Sequence, residues 1–107
     1  MDNAALYLTG KAARHLRGLG HHLSPTAMVG KEGVTDSVVK STEAVLLVHE
    51  LIKVKIQENC PLGKEEAAEL LARKTKGKIA QIIGRTFLLY RENQDKNEGQ
   101  KIHLPKK

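Results

Sequence analysis

The strongest constraint on the fold is a short run in the middle of the chain, Leu51-Ile-Lys-Val-Lys-Ile56. It alternates strictly: Ile52, Val54 and Ile56 fall on one side and Lys53 and Lys55 on the other, the period of a strand with one face in a core. Helical patterns flank it. Upstream, Thr35 or Asp36 can cap a helix over residues 35–48, in which Val38, Val39, Val45 and Leu46 recur at helical spacing. Downstream, residues 64–76 carry Glu65, Glu66 and Glu69 near the start and Arg73, Lys74 and Lys76 near the end, the order that complements a helix dipole. Ala67, Leu70, Leu71 and Lys74 share one face there, and Gly77 is a natural stop. Strands that alternate with helices need crossover connections and therefore run parallel.

The rest of the chain extends this pattern. Thr9 can cap a first helix over residues 9–19, with Ala12, Leu16 and Leu19 as its apolar stripe and Gly20 as its end. Residues 26–29 have strand length, and Gly30-Lys-Glu-Gly33 reads as a loop. Residues 79–83 and 86–91 form two strands around a tight Gly84-Arg85 turn. Residues 1–8 show no pattern and are expected to fray. Residues 92–107 form a polar, basic tail from which Ile102 and Leu104 can dock back. The expected fold class is α+β, two-layered, in the order α-β-α-β-α-β-β, with one domain over residues 9–91. Its sheet is four-stranded and mixed, with helices mainly on one face; helices on both faces would count against this reading.

Charge narrows the function. Lysines and arginines number 18 against 12 acidic residues, a formal net charge of +6, and such a domain is biased toward nucleic acid or anionic surfaces. Tyr7, Phe87 and Tyr90 are the only Phe, Tyr or Trp residues. Recognition by rows of stacked bases is therefore disfavoured, and contacts to backbone phosphates should dominate. The single cysteine, Cys60, excludes an internal disulfide, and neither it nor the adjacent His21 and His22 has metal-ligand or nucleophile spacing. No phosphate-loop, dinucleotide-binding or nucleophile-elbow motif is present, so no catalytic residue, cofactor or metal is expected. No run is long enough for a membrane span, and the start lacks the pattern of a signal peptide; a cytoplasmic monomer is expected.

Three basic groups are candidates for a nucleic-acid surface. Gly30, Lys31 and Gly33 lie in a loop that opens a helix, where glycines let a sugar-phosphate backbone approach and Lys31 adds a mobile cation. Taken alone, a plain turn is the better account of two glycines, and Asp36 already answers the helix dipole. Lys53 and Lys55 project from the open side of their strand, and Lys11, Arg14 and Arg17 from the first helix; each group alone also reads as a solvated face. Arg85 sits in the hairpin turn and Arg91 at a strand end. The competing reading is a basic DNA-binding protein built on a helix-turn-helix, which the short strand between the first two helices opposes.

Taken in order, residues 14–25, 29–35, 49–56, 77–85, 89–91 and 101–105 resemble the CRM domain (chloroplast RNA splicing and ribosome maturation) in its free-standing bacterial YhbY-type form. The resemblance implies a fold similar to the C-terminal domain of translation initiation factor three, with strand order 1-2-4-3. It implies RNA binding without enzyme activity, with ribosomal RNA in precursors of the large subunit as partner. Residue by residue, Gly30, Lys31 and Gly33 match the family's GxxG loop, Lys53 and Lys55 its basic strand, and Arg14 and Arg17 its basic helix. Glu32 is a departure that makes the loop less cationic.

Overall fold

The computed structural model describes residues 3–105. After a 3-10 turn at Asn3–Leu6 come α1 (Gly10–Gly20), β1 (Pro25–Val29), α2 (Asp36–His49), β2 (Leu51–Ile56), α3 (Lys64–Thr75), β3 (Lys78–Ile83) and β4 (Thr86–Tyr90), with a second 3-10 turn at Glu98–Gln100. The strands form one sheet in the order β1-β2-β4-β3. β1 and β2 pair in parallel, and β4 is antiparallel to both of its neighbours. This is the expected order. The α3 crossover sets β3 one position away from β2, and the tight hairpin returns β4 into the gap, where it bonds along both edges. A strand of five residues separates α1 from α2, so the two helices do not make a helix-turn-helix.

The main core lies between the sheet and the pair α2 and α3. Ile52, Val54 and Ile56 of β2 are all buried there with Val29, Leu46, Leu71, Ile79, Phe87 and Leu89. Val38, Val39 and Val45 pack at its margin. α2 starts as its sequence dictates: the Thr35 hydroxyl accepts a hydrogen bond from the Val38 amide at 3.1 Å. α3 buries Ala67, Ala68, Leu71, Ala72 and Thr75, whereas Lys74 is exposed and Leu70 only half-buried. The small Ala67, Ala68 and Ala72 side chains set the closest approach, so the buried face is rotated from the expected one. The left-handed residue that ends α3 is Lys76, with φ 60°, and not Gly77. Glycine is needed at 77 for a different reason: a Cβ there would stand 2.9 Å from Leu89 Cδ1.

Two of the three helices thus share a face, as expected, but α1 covers the other one. It packs over a second cluster of Leu16, Leu51, Ala80, Leu88 and Tyr90. The physical reason is in β4. Its residues Phe87, Leu88, Leu89 and Tyr90 are all buried, a run apolar on both faces, and a central strand of that kind needs cover on both sides. α1 meets the sheet through Ala13, Leu16 and Gly20 rather than through Ala12, Leu16 and Leu19. A Cβ at Gly20 would stand 2.6 Å from both Leu88 methyl groups, so the helix end sits directly on β4. Leu19 is turned outward and is 45% exposed.

Of the segment expected to fray over residues 1–8, the part from Ala5 to Leu8 is bonded to β3; residues 1 and 2 lie outside the described residues. Tyr7 bridges to Ile79, and the Leu8 amide donates to the Ile79 carbonyl at 2.8 Å. The Tyr7 hydroxyl donates to Glu69 Oε2 at 2.6 Å. The tail returns over the second cluster, where Ile102 and Leu104 pack. Its anchor is Glu50, fully buried at φ 61° between α2 and β2. The Glu50 carboxylate accepts the amides of Asn93 at 2.7 Å and Ile102 at 2.8 Å. Among the described residues no helix is long and apolar enough to cross a membrane.

Candidate nucleic-acid interface

The Gly30–Gly33 loop is a hydrogen-bonded turn between the end of β1 and the start of α2. The Gly33 amide donates to the Gly30 carbonyl at 3.0 Å, and Gly33 adopts φ +75°, the left-handed region that favours glycine. Lys31 and Glu32 are exposed at the tip. The loop is joined to β2 just beyond its end, where the Gln57 amide donates to the Val29 carbonyl at 2.9 Å. The β3–β4 turn is joined to the same end, where the Ile56 amide donates to the Arg85 carbonyl at 2.7 Å. Three segments remote in sequence therefore present Lys31, Lys55 and Arg85 at one end of the sheet. Lys55 and Arg85 line a common cleft there.

The basic surface continues onto the face that α1 only partly covers. Leu51 lies under α1, but two residues along the strand Lys53 is half-buried, and Lys55 beyond it is exposed. Lys53 borders a cleft of about 230 Å³ together with Arg17 and His21 from the end of α1. Arg14 and Lys11 are exposed further back along the helix, and Lys11 lies nearly opposite its Ala13, Leu16 and Gly20 contact with the sheet. Met28 on β1 beside Lys55, and Ile83 on the outer strand β3, remain 51% and 61% exposed.

Arg91 does not join this surface. It follows the other end of β4 from Arg85, where its Nη1 donates to the Thr75 carbonyl at 3.3 Å and stands 3.8 Å from Glu43 Oε2. Its guanidinium links the end of α3 to α2, at the opposite end of the sheet from Lys31, Lys55 and Arg85. His21 and Gln57 are the additions that the sequence did not mark. His21 follows the glycine that docks α1 on β4. Gln57 extends β2 by one residue and donates from Nε2 to Met28 Sδ at 2.8 Å. Among the described residues no group of three or more His, Cys, Asp or Glu side chains could hold a metal ion. Cys60 packs at the margin of the main core.

Residues 8–91 match the model of the CRS1/YhbY (CRM) domain. The chain belongs to the CRM domain family. It is 42% identical to the probable RNA-binding protein YqeI of Bacillus subtilis over 92% of this chain and 99% of that protein. It is 38% identical to an RNA-binding protein of Haemophilus influenzae over 94% of this chain and 97% of that protein. A solution structure from Staphylococcus aureus, described as a candidate RNA-binding protein, superposes with a TM-score of 0.75 at 38% identity, covering 92% of this chain and 99% of that one. All three are named for binding RNA and none for an enzymatic activity. In this CRM domain the GxxG loop and Lys55 lie at the same end of the sheet, and Lys53 borders a cleft with the end of α1.

Proposed function

We propose that this CRM domain is an RNA-binding module that holds ribosomal RNA in precursors of the large ribosomal subunit and assists their assembly, as a cytoplasmic monomer. The observation that carries the RNA surface is the convergence of Lys31, Lys55 and Arg85 at one sheet end, continuous with Lys53 and Arg17. Five cations at that end and on the adjoining face suit a polyanion better than a small ligand. The surface offers no exposed Phe or Tyr ring among the described residues, so the phosphates supply most of the affinity. Gly30 and Gly33 shape the loop that holds Lys31 out: a Cβ at Gly30 would stand 2.8 Å from Gln57 Oε1, and Gly33 is buried at φ +75°. The RNA-binding relatives support the class of partner, and the family resemblance supports the ribosomal setting.

Filter binding of large-subunit ribosomal RNA fragments at several salt concentrations tests the surface. Five phosphate contacts on single-stranded RNA give a log K against log salt slope of about −3.5. Lys31→Ala should weaken binding and flatten that slope by about 0.7. Lys74→Ala, on the opposite side of the sheet, should do neither. Equal losses from Lys31→Ala and Lys74→Ala would mean diffuse binding and would end the site assignment. In cells, crosslinking followed by sequencing should recover precursor RNA of the large subunit; recovery of messenger RNA or DNA instead would refute the ribosomal role.

A further inference from the structure

A second cleft opens beside the basic face, and its chemistry is different. It measures about 450 Å³ and is lined by Leu19 and Leu23, by Leu51 and by Ile102 of the returning tail, with Ser24 and Lys53 at its polar edge. That volume is in the range of small-molecule sites. Lys53 borders both this cleft and the one it shares with Arg17, so the two surfaces are continuous. Leu19 and Leu23 remain 45% and 36% exposed around the apolar cleft. Meanwhile all three Phe and Tyr rings are committed elsewhere: Phe87 and Tyr90 are buried, and half-buried Tyr7 is bonded to Glu69. The walls this cleft offers to the flat face of a base are therefore aliphatic, with the His49 imidazole at the same cleft as the one further stacking group.

We propose that this cleft takes one unpaired nucleobase of the RNA whose backbone runs along Lys53 and Lys55. The inference rests on the reading of the basic face as an RNA surface and adds selectivity to it. Phosphate contacts carry no preference for unpaired RNA. A cleft with apolar walls and a polar edge does, because a base can enter only where it is free to leave its stack, in a loop or bulge. The ring faces lie between Leu19 and Leu23, and the polar edge meets the Ser24 hydroxyl and the Lys53 ammonium. Ile102 closes one wall, so the docked tail is part of the site.

The test uses two hairpin RNAs with the same stem and a five-nucleotide loop, one with normal loop nucleotides and one with abasic loop nucleotides that keep every phosphate. The wild-type protein should bind the base-bearing loop at least about fivefold more tightly, taking the low end of base–aromatic stacking as the measure for a base held between aliphatic walls. Leu23→Gln and, separately, Leu19→Gln should remove that difference and leave affinity for the abasic RNA unchanged. Both residues are partly exposed, so both variants should melt like the wild type. Lys31→Ala should weaken both RNAs alike. Equal wild-type binding to the two RNAs would overturn the base cleft and leave it to some other partner. So would a leucine variant that keeps the difference, or one that weakens both RNAs. If Lys31→Ala leaves both affinities intact, the basic-face reading itself fails, a result separate from either of these.

Discussion

Replacing Glu50 by alanine should undock the tail and destabilise the domain by about 2–3 kcal/mol. The carboxylate is fully buried and accepts two main-chain amides, from Asn93 at 2.7 Å and from Ile102 at 2.8 Å. Hydrogen bonds to a charged group contribute roughly 1.5–3 kcal/mol each. The sum is an upper bound, because both amides are only partly buried and can be rehydrated once the tail lifts, and because alanine removes a charge that was costly to bury. For a chain of this size the expected loss lowers Tm by about 10 °C. Urea unfolding should show the lower midpoint with a slightly smaller m value, since an undocked tail exposes less new surface on unfolding. Hydrogen exchange adds a local readout: the Asn93 and Ile102 amides should lose protection while the β2 and β4 amides keep theirs. Glu50→Gly separates the two roles of the position. It also removes the carboxylate, but it relieves the backbone at φ 61°, so it should be about 1 kcal/mol less destabilising than Glu50→Ala. Glu50→Ala within 0.5 kcal/mol of wild type, taken as roughly the scatter of neutral surface changes, with Ile102 still protected, would refute the clasp.

Gly20→Ala should cost about 1–3 kcal/mol in thermal melts, because its Cβ would meet the Leu88 methyl groups at 2.6 Å and push α1 off the sheet. Arg91→Ala should lower Tm slightly by releasing Thr75 and Glu43, yet leave the salt slope of RNA binding unchanged, which titrations of the same RNA fragments will show. Burial first, then neighbouring carboxylates, push the Tyr7 and Tyr90 phenols up from 10.0 to about 12. The folded state keeps those protons while the unfolded chain releases them, so stability present below pH 10 should fall between pH 10 and about 12. Tyr7→Phe should reduce that fall in denaturant melts taken across the same pH range, and an unchanged alkaline slope would refute the assignment.

Much of this molecule is legible along the chain because its signals are local. The strict alternation of β2, the capped start of α2 and the charge order of α3 each involve neighbours a few residues apart, and the structure places those elements as the patterns predict. The glycine loop, the lysine strand and Arg85 were likewise marked by residue type and by the elements they join. Their gathering at one sheet end follows from strand order, which the sequence reached through a family resemblance.

What only the tertiary structure decided is which surfaces meet. β4 carries apolar residues in succession, so nothing in its period says which face is covered by helices; the packing of Gly20 on Leu88 puts α1 on the second face. Arg91 looks like one more surface cation until the end of α3 and Glu43 are brought to it. Glu50 carries no local signal of its own in the sequence, and becomes the buried anchor of a tail more than forty positions away. The Leu19 and Leu23 cleft exists only because α1 turns Leu19 outward and the tail delivers Ile102 beside it. Periodicity fixes what a residue offers to its own element, whereas burial belongs to two surfaces at once, and the second surface is supplied by a distant part of the chain.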